Sequence, residues 1–156
     1  MALTEVVEWQ GVSGLARWRP GVLPAANVTQ VSGVCLTDNS RIVLVSKDGR
    51  RWNLPGGKPE DGESWPATLK RELWEEACAE VLSSRYLGTQ QIEGVTAAPY
   101  HQLRFSARVR LRPFDASFET KFRRTVPPEE VVEALSWGPG LIARAVLNAA
   151  LGGQEL

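Results

Sequence analysis

The chain has 156 residues, 43% hydrophobic and 23% charged, and its 18 basic and 18 acidic side chains cancel to a formal net charge of zero. This composition suits an ordinary globular domain with enough apolar residues to close a core, and the neutral balance gives no overall field to gather nucleic acid or an anionic membrane. The only two cysteines, Cys35 and Cys78, suggest no disulfide framework, and no stretch approaches the roughly 18 apolar residues of a membrane span.

Met1 to Val12 lacks a basic start followed by a long apolar run, so no signal peptide is expected and the protein is read as cytoplasmic. Thr4 to Ala26 mixes Trp9, Trp18, glycines and prolines without a firm period; Glu5 to Trp9 is a candidate short strand. We take 1–28 as an N-terminal extension or edge strand of a single domain over 1–156. Val31 to Leu36 and Ile42 to Val45 are β-rich runs joined by the turn Thr37-Asp38-Asn39-Ser40. Trp52-Asn53-Leu54-Pro55-Gly56-Gly57 cannot be helical. Ser64 is an N-cap for a helix from about Trp65 to Ala77, with Pro66 in the first turn where its missing N–H costs little.

Tyr86 to Ile92 reads as a strand. Leu103 to Arg112 is a clearer one, because Leu103, Phe105, Ala107, Val109 and Leu111 alternate with polar residues. Val131 to Trp137 reads as the last strand, broken by Gly138-Pro139-Gly140, and Leu141 to Leu151 as a buried helix closed by Gly152-Gly153. Strands around one internal helix, with another helix at the end, indicate an α/β domain with a sandwiched sheet.

The chemistry concentrates between Gly57 and Ala79. On a helix, Glu72, Glu75 and Glu76 share a sector about 100° wide, where three carboxylates repel unless something of opposite charge joins them. The apolar stripe Trp65, Leu69, Leu73, Ala77 begins on the same side, which puts Glu76 near the core-facing edge. A carboxylate there requires a cation or its pKa rises; hard oxygen donors favour Mg2+, with Mn2+ second. Arg71 can hold a neighbouring carboxylate as a fork, and Glu63 lies just ahead of the helix. An isolated Glu-x-x-Glu-Glu run is usually a solvated helix face; its junction here with Gly56-Gly57, Glu63 and Arg71 at fixed offsets sets it apart.

This segment resembles the Nudix box: Gly, five residues, Glu, seven residues, then Arg-Glu-apolar-x-Glu-Glu-x-Gly-apolar. Gly57, Glu63, Arg71, Glu72, Leu73, Glu75, Glu76 and Ala79 fit every offset, and Cys78 replaces the last Gly. A Cys in the left-handed conformation of that Gly costs about 1 kcal/mol or more; otherwise the helix runs on toward Glu80. The resemblance implies an α/β/α sandwich with a mixed sheet, a box helix at about 65–77 and a C-terminal helix at about 141–151. It also implies hydrolysis of a phosphoanhydride bond in a small nucleoside diphosphate-X type substrate, without a covalent intermediate; with His101 the only histidine, a His-based triad is not expected.

Carried over residue by residue, Glu72 and Glu76 become metal ligands, Glu75 a ligand or general base, and Arg71 a catalytic-site residue. Members of the family differ in whether the base lies in the box or in a loop before the last strand. Glu129 and Glu130, just ahead of Val131 to Trp137, occupy the second place, with Glu130 the candidate after a box glutamate and an exposed acidic turn after Pro127-Pro128 as the plain alternative. Gly57, Lys58, Lys47 and Arg51 are candidate phosphate contacts, with solvated loop charge as the plain alternative for the three cations. Arg104, Arg108, Arg110 and Arg112 read as a solvated sheet face, and Cys35 as core.

The family's markers for particular substrates do not fit; Pro99 and Tyr100 fall too far past the box. Three rivals remain: a nucleotide sensor of the same fold, a prenyl diphosphate isomerase, and an enzyme acting on RNA ends. Intact Arg71, Glu72, Glu75 and Glu76, the lack of extra Cys and His ligands, and the neutral charge weigh against them in turn. Many relatives dimerise, so a homodimer using the Trp-bearing N-terminal segment is an open expectation.

Overall fold

The computed structural model describes residues 3–135, 137 and 139–152. The side chain of Trp9, and Ser136, Gly138 and Gly153 from the expected breaks, lie outside the described residues. Strands β1 (Leu3–Trp9) and β2 (Val12–Pro20) form a hairpin, followed by β3 (Val28–Leu36), β4 (Ile42–Ser46) and the two-residue β5 (Gly56–Gly57). Helix α1 (Trp65–Ala77) leads into the long hairpin β6 (Ala79–Glu93) and β7 (Tyr100–Leu111), then β8 (Phe122–Val126). The short helix α2 (Val131–Ala134) and α3 (Leu141–Ala150) complete the order.

All eight strands belong to one mixed sheet ordered β1-β2-β6-β7-β3-β4-β8, with β5 attached to β3. Pairings are antiparallel except β3 with β7. Period-two alternation sends side chains to opposite faces, and each face has its own core. Val31, Cys35, Val43, Leu103, Phe105 and Ala107 face α1 through Leu69, Leu73 and Ala77. On the other face Ala16, Trp18, Val34, Ile42 and Leu44 pack with Ile142, Val146 and Leu147 of α3. The architecture is therefore an α/β/α sandwich. Among the described residues, no helix is long and apolar enough to cross a membrane.

Helix α1 follows its sequence signals. Ser64 Oγ accepts the Ala67 N–H at 3.2 Å, Pro66 sits in the first turn, and Leu69, Leu73 and Ala77 bury completely at i, i+4, i+8. Each of the two leucines contributes about 1.5–3 kcal/mol by burial. The helix stops at Cys78, whose φ of 50° and ψ of 41° keep the left-handed exit, so it does not run on toward Glu80.

Three expectations change. Val131–Trp137 is not the last strand: Pro128 opens a 3-10 turn over Pro128–Glu130, and Val131–Ala134 continues as α2. Val131 and Leu135 are both buried, four residues apart, which is a helical spacing that a hydrophobic count mistakes for a strand. The last strand is β8, whose Arg123 and Arg124 hide it in the sequence although it pairs with β4 from Ile42↔Val126 to Ser46↔Phe122. The segment 1–28 supplies the edge strand β1 and also a second strand, β2, whose Trp18 is 4% exposed inside the core.

The hairpin β1–β2 is also tied to the last helix. Glu5, 6% exposed, accepts the Ile142 N–H at 2.9 Å and so satisfies a buried donor at the start of α3, where Gly140 offers no side-chain cap. Replacing Glu5 with Ala should lower stability by about 1–2 kcal/mol, read from urea unfolding midpoints. A midpoint equal to wild type would mean that the cap carries no weight.

Candidate active site

Two constraints bring the box together. The first is the glycine turn. β5 lies against β3 with Ser32 opposite Gly56 and Val31 opposite Gly57. A Cβ at Gly56 would sit 2.2 Å from the Val31 carbonyl oxygen, so no larger residue fits without moving backbone. A Cβ at Gly57 would fall 2.3 Å from Glu72 Oε2, so this glycine is what leaves room for the Glu72 carboxylate.

The second is Arg71. Its Nε and Nη2 donate to the two oxygens of Glu63 at 2.7 and 2.9 Å, a two-point fork. Nη1 donates to Glu72 Oε1 at 2.7 Å and Glu75 Oε2 at 3.3 Å, and Nη2 also reaches the Lys58 carbonyl at 3.0 Å. Glu60 stands 3.7 Å away. One guanidinium thus neutralises part of a four-glutamate crowd and pins the loop before the helix. These hydrogen bonds hold the Arg71 pKa above its ordinary value. Glu63 also accepts from the Glu60 N–H and the Thr68 hydroxyl, and with Arg71 as the main cause its pKa falls to about 2.

Glu72 and Glu76 respond the other way. Burial is the largest influence on both. It raises Glu72 against the pull of Arg71, and it lifts Glu76 to about 7 despite the Gly56 N–H, which donates to Glu76 Oε1 at 2.9 Å. Glu119 adds to both shifts, and Lys47 opposes that of Glu76. Carboxylates placed where ionisation is penalised either hold a proton or take a cation as partner.

Among the described residues, no three His, Cys, Asp or Glu side chains converge as a ready-made metal cage. Arg71 explains this, since it draws Glu63, Glu72 and Glu75 onto itself. The donor set still fits a hard divalent ion. Glu72 Oε2 and Glu76 Oε2 are free of hydrogen bonds among the described residues, and both belong to carboxylates whose charge is penalised.

Of the remaining sequence candidates, Glu75 is partly exposed beside Arg71. Lys58 and Arg51 are exposed loop residues, and Lys47 pairs with Glu119 at 3.1 Å near the cluster. Glu129 and Glu130 are exposed on the 3-10 turn, so neither immediately precedes the last strand. That place belongs to Glu119, on the connection from β7 to β8, which the sequence reading missed because β8 was missed. The signal was there in Phe122-Arg-Arg-Thr-Val, a β-prone run after a Ser/Glu/Thr turn.

The Glu119 connection is fastened to the end of α1. The Thr120 hydroxyl donates to the Glu76 carbonyl at 2.5 Å, Arg123 Nη1 donates to the Ala77 and Arg112 carbonyls, and the Asp115 N–H donates to Cys78 Sγ at 3.3 Å. The Cys that replaces the usual Gly therefore holds this connection through its sulfur.

A family model described as the NUDIX domain matches residues 27–141. No curated protein matches the sequence. Among solved structures, a pyrophosphohydrolase of Bacillus subtilis superposes with a TM-score of 0.74 at 20% identity, covering 89% of this chain and 91% of that one. A MutT protein of Bacillus halodurans gives 0.63 at 27% identity over 76% and 80% of the two chains. A UDP-X diphosphatase gives 0.65 at 21% identity over 88% and 69%.

The Arg71–Glu63 fork has a pH signature. Its depressed folded-state pKa makes the ionised Glu63 stabilising above the ordinary Glu range, and that contribution is lost as pH falls from about 4.5 toward 2. In chelator, the gap in urea midpoint between wild type and Glu63→Gln should therefore narrow across that window. A constant gap from pH 5 to 2.5 would count against the fork.

Proposed function

The chain belongs to the Nudix family and is a Nudix-type hydrolase, and on that premise we propose that it cuts a phosphoanhydride bond in a nucleoside diphosphate-X type substrate with the help of Mg2+ or Mn2+. The observation that carries this reading is the pair Glu72 and Glu76, both with ionisation penalised by burial, held between the glycine turn and Arg71. Glu72 and Glu76 would hold the cation, with Glu75 beside them. Bound there, a divalent ion neutralises phosphate charge and lowers the pKa of an attacking water.

The protein's own part is positioning. Gly56 and Gly57 let the turn pack against β3 and leave room for the Glu72 carboxylate, and Lys47, Lys58 and Arg51 are the cations available to the outer oxygens of a diphosphate. Arg71 keeps the carboxylates from swinging apart. The proton of the attacking water goes to a carboxylate that is not a committed ligand. Glu75 is the first choice and Glu119 the second, since it lies close enough to influence both Glu72 and Glu76. Glu130 loses the argument that selected it once Val131–Ala134 is a helix. The substrate is a small molecule, and the reading requires no nucleic acid and no membrane.

A nucleotide and nucleotide-sugar panel with Mg2+ and product identification tests this. Wild type should release a nucleoside phosphate together with phosphate, pyrophosphate or, from a nucleotide sugar, a sugar phosphate, and Glu76→Gln should be slower by at least about two orders of magnitude. Tight nucleotide binding with no release would instead make the protein a sensor. Glu130→Gln should keep nearly full turnover and Glu119→Gln should not fall as far as Glu76→Gln; a larger loss in Glu130→Gln than in Glu119→Gln would move the base to 130.

A further inference from the structure

The sequence reading left Arg104 as one of four arginines on a solvated strand face. The structure buries it: Arg104 is 4% exposed on β7, and among the described residues no carboxylate pairs with it. All its hydrogen-bond partners are neutral oxygens. Nε donates to Gln90 Oε1 at 2.7 Å, Nη1 to Gln30 Oε1 and Ser32 Oγ at 2.6 Å each, and Nη2 to Gln102 Oε1 at 3.1 Å. The Trp137 ring lies over the guanidinium, 4.6 Å from its carbon to the ring centroid. Burial pulls its pKa down to about 9, which leaves it protonated at neutral pH.

A cation buried without a counter-ion is costly, and the way this one is solvated fixes the character of its surroundings. A guanidinium only donates, so each of the three glutamines must turn its amide oxygen inward and its NH2 outward. Among the described residues none of those three NH2 groups reaches a protein acceptor. The nest therefore presents hydrogen-bond donors and positive charge, beside an indole. Its matching ligand is flat and rich in acceptors.

Its place in the sheet says which part of a ligand that is. Arg104 on β7 stands opposite Ser32 on β3, and Ser32 stands opposite Gly56 on β5, the residue bonded to Glu76. Two strand spacings put the nest roughly 10 Å from the glycine turn, so a molecule with its diphosphate at the turn reaches the nest with its far end. Resting on the hydrolase reading, we infer that Arg104, Gln30, Gln90, Gln102 and Trp137 select a nucleobase with a carbonyl edge, the guanine or uracil type, over the amino-edged adenine and cytosine. Guanine offers O6 beside N7, and uracil O4, to such donors; at the same positions adenine and cytosine carry an NH2, donor against donor, and keep their acceptors, such as N7 or O2, elsewhere. Of the residues involved, Arg104 makes the electrostatic demand and the glutamines translate it into an outward row of N–H groups.

Binding of GMP, UMP, AMP and CMP to the full chain, measured by calorimetry without hydrolysis, tests the idea. GMP and UMP should bind at least about tenfold more tightly than AMP and CMP, and whichever of the two is tighter identifies purine or pyrimidine. Gln30→Glu, at a half-buried position, supplies the missing counter-ion beside Arg104 and should remove most of that preference while changing AMP and CMP little. Equal affinity for all four, no binding by any of them at millimolar concentration, or a preference untouched by Gln30→Glu would overturn the inference. The hydrolase reading fails by a separate result: a carbonyl-edge preference with no metal-dependent cleavage of the corresponding di- and triphosphates would leave the nest standing and remove the reaction.

Discussion

Five acidic side chains crowd the start and inner face of α1, and their mutual repulsion would open the site if nothing balanced it. Arg71 is the balance. Its planar fork meets Glu63 with two hydrogen bonds and spends its remaining N–H groups on Glu72, Glu75 and the Lys58 carbonyl. A lysine could neutralise the same charge, but it has no second edge with which to tie the loop to the helix. The position of Glu63 and the direction of Glu72 follow from that one guanidinium, while the glycine turn is set by its pairing with β3. Glu76 is outside its reach; burial raises its pKa, and the Gly56 N–H offsets only part of that rise.

A second layer supports the first from the far end of the helix. Cys78 accepts the left-handed conformation that glycine would adopt at little cost, and its sulfur bonds the Asp115 backbone. Thr120 and Arg123 take the Glu76 and Ala77 carbonyls left without partners as the helix ends. The connection carrying Glu119 is thus fixed to the helix that carries the other glutamates. The departure from the family pattern at residue 78 has become a point of attachment.

What the sequence revealed depends on how local each signal was. Helix α1 was legible to the residue, because Ser64, Pro66 and the Leu69–Leu73–Ala77 period are all local and agree. The β7 alternation was legible for the same reason. The strand β8 was not, since its partner β4 is distant in sequence and its arginines dilute the hydrophobic pattern; only pairing reveals it. Losing β8 made 131–137 look like the final strand and shifted attention from Glu119 to Glu130. Arg104 was misread for a related reason: alternation assigns a face, but whether that face meets water depends on Trp137 and the glutamines of neighbouring strands.

The contact between Glu5 and Ile142 spans 137 positions along the chain. Joining such distant points carries a large loop-closure cost that only the finished assembly repays. During synthesis on the ribosome, β1 emerges long before the helix it caps, and the apolar sheet face lined by Val34, Ile42 and Leu44 waits uncovered for α3. That face can be covered only once α3 has been made, so the core on this side of the sheet closes as one of the last steps of folding.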